Sequence, residues 1–144
     1  MDMNGSQRIE APRETVWAAL NDVEVLKACI PGCESITMTS DTEMEAQVVL
    51  KIGPVKASFS GKVTLSNIDP PNGYTISGEG QGGVAGHARG GADVRLESEG
   101  EATILHYNVK AEVGGKIAQL GSRLIDSTAK KLAGEFFEKF AEVV

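Results

Sequence analysis

The 144 residues contain two cysteines, two histidines and seven aromatic residues: one Trp, two Tyr and four Phe. So few cysteines rule out a disulfide-stapled scaffold. Cys29 and Cys33 sit four apart in Cys-Ile-Pro-Gly-Cys. Two thiols cannot complete a tetrahedral zinc site, and neither histidine lies near them in sequence. Reduced, partly buried thiols are the expectation, with a redox switch as the alternative. No stretch approaches the roughly 20 apolar residues that span a bilayer. The start, Met1-Asp2-Met3-Asn4-Gly5-Ser6, lacks the basic region and apolar run of a signal peptide. A cytoplasmic protein is therefore expected. Positive charge is also scarce: 14 Lys and Arg stand against 20 Asp and Glu, a formal net charge of −6. The cations are scattered along the chain, which argues against a nucleic-acid partner and against a polybasic membrane patch. Catalytic signatures are missing too. There is no His-Glu-x-x-His, no Gly-x-Ser-x-Gly and no phosphate loop. Gly-x-Gly-x-Gly-Gly at 78–83 ends a strand without opening a helix, so it fails as a nucleotide fingerprint.

What the sequence does have is period-two alternation with small residues on the apolar side. Every second residue of 55–65 reads Val55, Ala57, Phe59, Gly61, Val63, Leu65. The same reading gives Tyr74, Ile76, Gly78, Gly80 and then Ala88, Gly90, Ala92, Val94, Leu96. Period two marks half-buried antiparallel strands. A face packed at interior density is filled by Val, Ile, Leu and Phe. Gly and Ala on that face leave room, either for a closely packed helix or for an apolar ligand.

Strands are predicted at 3–10, 34–39, 43–52, 55–67, 73–81, 85–98 and 101–113. Asp41-Thr42, Gly53-Pro54, Pro70-Pro71-Asn72-Gly73 and Glu99-Gly100 supply the turns. These short links predict an antiparallel meander. The Gly-rich stretch 78–91 is expected to bulge, with a mobile turn at 81–86. Pro12 suits the start of a short helix bearing Val16, Trp17 and Leu20, and a second runs from Val23 to Cys29, closed by Ile30-Pro31-Gly32. After Gly114-Gly115 a long helix is predicted over 116–142, with Ile117, Leu120, Leu124, Thr128, Leu132, Phe136 and Phe140 on one stripe. Gly121 and Gly134 fall inside it at about 1 kcal/mol each. Only this helix is long enough to cover the sheet. The predicted fold is thus α+β, one domain over 1–144. A curved seven-stranded antiparallel sheet wraps a long C-terminal helix, with two short helices after the first strand.

These residues resemble a known family. Val16-Trp17-Ala18-Ala19-Leu20-Asn21-Asp22, Leu26 and Ile30-Pro31-Gly32-Cys33 resemble the G-subunit family of carbon monoxide dehydrogenase. So do Gly53-Pro54-Val55, Phe59-Ser60-Gly61, the Gly-rich 78–91 stretch, Tyr107, residues 114–125 and the Phe136-Phe137, Phe140 cluster. The resemblance implies the helix-grip fold of the START and birch-pollen-allergen (SRPBCC) superfamily, with a deep apolar cavity. It also implies an accessory role beside molybdenum-containing carbon monoxide dehydrogenases and related hydroxylases, helping them engage the membrane or its quinone pool. Many members continue into a membrane-seeking tail. This sequence stops at Val144, so membrane contact is expected to be transient, at the inner face of the membrane.

The expected ligand is an apolar small molecule such as a quinone, with no covalently bound cofactor and no metal. The expected lining is Phe59, Gly61, Tyr74, Ile76, Gly78, Ala88, Gly90, Tyr107, Val109, Leu120, Leu124 and Thr128. Gln7, Tyr74, Tyr107 and Thr128 are the polar groups that parity turns inward; they either satisfy buried neighbours or orient a ligand carbonyl. Parity places His87 and His106 on the solvent side, so no catalytic residue is assigned and a non-enzymatic carrier is the leading expectation. A slipped residue in the Gly-rich strand would turn His87 inward. The alternatives are a ligand-free recruitment factor and a cyclase- or hydrolase-like enzyme, since one fold hosts all three. Trp17 and the three phenylalanines of the last helix are read as core, with an exposed Phe137 as the alternative contact to a partner or membrane.

Overall fold

A computed structural model describes all residues, Met1–Val144. Seven strands, β1 (Asp2–Ile9), β2 (Cys33–Met38), β3 (Glu43–Ile52), β4 (Val55–Asp69), β5 (Gly73–Gln81), β6 (His87–Glu99) and β7 (Ala102–Gly114), form one sheet. Their order is β1-β7-β6-β5-β4-β3-β2, every pair antiparallel. Short turns join β2 through β7 in sequence, while β1 crosses to the far edge and pairs with β7. The crossing is made by α1 (Arg13–Leu20) and α2 (Val23–Cys29). Asp22 separates these helices, its carboxylate accepting from the Glu24 and Val25 amides, which caps α2. Pro31-Gly32 ends α2: Ile30 turns extended, and Gly32 has φ +75 with no room for a Cβ against Val49 O.

The last helix differs from its prediction. The chain after β7 makes a 3-10 turn, Lys116–Leu120, and α3 runs over Ser122–Val143. Gly121 is the reason: its φ of +95 and ψ of 152 are no helical conformation, so the residue that reads as a costly insertion is a break. Ile117 and Leu120 therefore belong to the turn and not to the stripe of α3.

The Gly-rich stretch also corrects its prediction. Pairing of β5 with β6 continues without a shift from Gly73↔Arg95 to Gln81↔His87. Shifts occur instead between Ser66 and Asp69 and between Cys33 and Ser35. The glycines of β6 serve close approach: a Cβ on Gly90 would stand 2.2 Å from Lys110 O, and one on Gly91 2.6 Å from Ile76 O. The two neighbouring strands press in from opposite sides. The turn at 81–86 is a single 3-10 turn, Gly83–Ala85, closed by the Gly82 amide donating to Gly86 O.

Candidate functional site

The inward-facing residues of β3 to β7 form rows across the sheet, fixed by register. At one end lie Tyr74, Val94, Leu96 and Leu105, all buried. They pack with Ile9, Val16, Leu20, Cys29, Met44, Leu65 and the fully buried Phe140 of α3. Aromatic contacts tie this end together. Trp17 meets Tyr74 edge-on at 5.1 Å, Tyr107 stacks on Phe137 at 5.5 Å, and Phe136 stacks on Phe140 at 5.5 Å. Trp17 and Phe136, Phe137 and Phe140 are thus core. Phe137 is half-buried, not a free surface contact.

At the other end a smaller cluster joins Phe59, Ala85 and Ile117, with Leu50, Ile52, Val55, Val113 and Leu120 around it. This brings together the β3–β4 hairpin, the 82–86 turn and the segment leading into α3. Glycines mark the seams. A Cβ on Gly53 would meet Leu124 Cδ2 at 2.7 Å, and one on Gly82 would meet the Phe59 ring.

Between the two clusters runs a row of small residues: Ala46↔Gly61, Gly61↔Gly80, Gly80↔Ala88, then Val113. The adjoining row reads Met44, Val63, Gly78, Gly90, Ala111. Only 19 of the 144 residues are buried, and Gly61, Gly78, Gly80, Ala88, Val109 and Ala111 are not among them. Nor are Leu124, Thr128 and Leu132, which α3 turns the same way. Added Cβ atoms locate the gap. On Gly61 the nearest atoms would be Glu79 O and Ala46 O at 3.6 and 3.9 Å, and on Gly80 only Ser60 O at 3.9 Å. No side chain of α3 comes within 4 Å of either point. Helix and sheet close on each other at Phe140, and Leu124 reaches the β3–β4 turn at Gly53, while the space directly above Gly61 and Gly80 holds no α3 side chain.

The expected lining residues fall into this frame unevenly. Phe59 and Leu120 sit in the smaller cluster, Leu120 on the turn instead of the helix. Tyr74, Ile76 and Tyr107 belong to the larger one. Gly61, Gly78, Ala88, Val109, Leu124 and Thr128 border the gap. Gly90 is exposed, its Cβ position blocked by Lys110 O, so it supplies backbone and no apolar surface. Gln7, assigned inward by parity, is exposed, because β1 is an edge strand. Thr128 Oγ1 donates to Leu124 O at 2.8 Å, which spends its proton inside the helix. Ala46 and Gly80 border the gap but are missing from the expected set, although the period-two reading of 74–80 marks Gly80.

The inward rows present no carboxylate, amine or imidazole. Their one strongly perturbed group is Tyr74, whose hydroxyl burial pushes up to about 12. His87 and His106 are exposed on the outer face, the latter with Nε2 3.9 Å from Glu97 Oε1. Burial also raises both thiols, Cys29 at the end of α2 and Cys33, whose Sγ donates to Ser35 O. Neither is an activated thiolate. The arrangement can enclose an apolar body; it offers no acid–base pair aimed into the gap.

A broad concavity lies elsewhere. A groove of about 890 Å³ crosses the outer face of the sheet, and no residue of α3 lines it. Its floor is a cross-strand row of alternating charge, Glu45, Lys62, Glu79, Arg89, Glu112, with Arg89 Nη2 2.9 Å from Glu112 Oε2.

A curled antiparallel sheet gripping a C-terminal helix, with two short helices bridging its edges, is the helix-grip architecture. Solved structures share it. A conserved protein from Geobacillus kaustophilus is 32% identical with a TM-score of 0.93, over 99% of this chain and 93% of that one. A START superfamily protein from Mycobacterium smegmatis is 18% identical with a TM-score of 0.66, over 98% and 92%. The Zhui aromatase/cyclase from Streptomyces sp. R1128 is 12% identical with a TM-score of 0.68, over 99% and 92%. The last two show the fold alone. No curated protein matches the sequence. The family model for CoxG, the G subunit of carbon monoxide dehydrogenase, matches residues 5–144, and the chain belongs to that family.

Proposed function

We propose that this protein binds an apolar small molecule, a quinone in the leading case, between the small-residue row and the first half of α3. It would serve a molybdenum-containing carbon monoxide dehydrogenase or related hydroxylase as an accessory that links the enzyme to the membrane quinone pool. The redox chemistry belongs to the partner. The observation that carries this reading is the gap above Gly61 and Gly80, where no helix side chain reaches the sheet.

On this reading the expected residues take the following roles. Phe59 and Leu120 flank the approach. Gly61, Gly78 and Ala88 form the floor and Leu124 and Thr128 the roof. Ile76, Tyr74, Tyr107 and Val109 close the inner end, and the exposed Gly90 offers only backbone at the margin. The Tyr74 hydroxyl is the donor available to a carbonyl, since that of Tyr107 packs over Gly5 of β1. Burying about 400 Å² of apolar ligand yields ~10 kcal/mol. Association removes about 4 kcal/mol or more, leaving a dissociation constant of roughly tens of micromolar.

Trp17, the single tryptophan, rests on Tyr74 at that inner end. Titration with a short-tailed naphthoquinone is expected to quench it saturably. Gly61→Val combined with Ala88→Leu fills the floor and should abolish the quench while thermal unfolding stays cooperative. Equal quenching in both proteins contradicts the proposal.

A further inference from the structure

Three segments of the chain lack any carboxylate: 46–68, 80–92 and 113–125. Register brings parts of all three to one end of the sheet. Gly53-Pro54 closes β3 onto β4, Gln81 pairs with His87, and His87 pairs with Gly114. The fold thereby gathers Lys51, Lys56, Lys116 and Arg123, all exposed, and none of them forms an ion pair. The turns at the opposite end carry Glu10, Asp41, Asp69, Glu99 and Glu101. Cations that are scattered in sequence thus meet at one end of the fold.

Two further observations pick out this end. Lys51 and Lys56 stand directly opposite each other in the β3–β4 ladder, a like-charge pairing that works against the hairpin. Val84 is 95% exposed at the tip of the 82–86 turn, beside Ala85, which is buried in the smaller cluster. One bare valine among four unpaired cations is too small a face for a protein interface core but matches the interface of an anionic bilayer.

We propose that this end is a membrane-docking face that seats Val84 among acyl chains while Lys51, Lys56, Lys116 and Arg123 meet anionic headgroups. It deepens the reading above, on which it rests for its purpose: docked this way, the bilayer meets the small cluster of Phe59, Ala85 and Ile117 that caps the gap.

The test is sedimentation with vesicles of phosphatidylcholine alone and of phosphatidylcholine with phosphatidylglycerol. Wild type is expected to partition onto the anionic vesicles only, and to be released by high salt. Lys51→Glu/Lys56→Glu should weaken this by at least about 25-fold, at roughly fivefold per cation, and Val84→Asp by about tenfold. Lys131→Glu/Lys139→Glu changes net charge equally elsewhere and should retain more binding. The single Lys56→Glu separates docking from folding: it converts a like-charge pair into an opposite pair, so the unfolding midpoint holds or rises while vesicle binding falls. Wild-type partitioning that is absent, or indifferent to lipid charge, overturns the proposal and leaves the cations for an acidic protein surface. Equal losses in both double variants overturn it as well. Quinone quenching in vesicle-free solution is read separately; it should survive Lys51→Glu/Lys56→Glu, so a failed ligand site and a failed docking face give different results.

Discussion

The two halves of the sheet–helix sandwich use the same alternation to opposite ends. Around the last turns of α3, the inward positions are Tyr74, Val94, Leu96 and Leu105, and Phe140 fits among them with no exposed surface. Around its first turns they are Ala46, Gly61, Gly80 and Ala88, and Leu124, Thr128 and Leu132 remain half-uncovered. The first half is a core in which volume is filled to interior density. The second gives up that packing and is held at its rim by Phe59, Ala85 and Ile117. If the open stretch binds the ligand proposed above, stability and binding fall to different stretches of the same strands, and substitutions in the two halves should have different signatures.

The largest expected effect is at the filled end. Phe140→Ala should cost about 3–5 kcal/mol in urea denaturation, whereas Leu124→Ala, over the gap, should cost less than half as much. Equal losses would mean that α3 is seated uniformly along its length.

Alkaline pH probes the same end. Burial holds the Tyr74 phenol protonated up to about 12, while the unfolded chain releases that proton near the ordinary tyrosine value of about 10. Between those values the unfolded state binds fewer protons, so stability declines as pH rises. The total is about 2–3 kcal/mol. Tyr74→Phe should remove this component of the pH dependence, seen by comparing unfolding midpoints at pH 9 and pH 11.5.

Glycine substitutions sharpen the contrast. A Cβ on Gly5 would lie 2.7 Å from the Tyr107 hydroxyl oxygen, so Gly5→Ala must displace a packed ring and should destabilise by about 1–3 kcal/mol. Gly61→Val meets only ordinary contacts and suits a strand, so stability should hold or rise. Its cost should appear as at least a tenfold loss of quinone affinity.

The smallest effect belongs to the outer face. Arg89 and Glu112 are paired but largely exposed, and a double-mutant cycle should find under about 1 kcal/mol.

Much of this arrangement was legible in the residues. Period two marked the inner face of β4, β5 and β6 correctly, and the small residues at 61, 78 and 88 pointed to space. Gly121 was not legible as a stop, because an isolated glycine in a helical pattern reads as a modest penalty until its positive φ is known. Gln7 followed strand parity, but parity does not say that an edge strand leaves its side chain in water. Gly90 also obeyed parity, yet the approach of β7 decides what it contributes. The small-residue row, the outer charge ladder and the basic end all depend on which residues stand opposite one another across several strands, and single-strand patterns carry no such register.

The most direct test of the open half is a crystal structure of the protein grown with a short-tailed naphthoquinone. Ring density between Gly61 and Gly80 on one side and Leu124 and Thr128 on the other is the expected result. A quinone bound in the outer groove, or α3 side chains closed down onto those glycines with no ligand between, would contradict it.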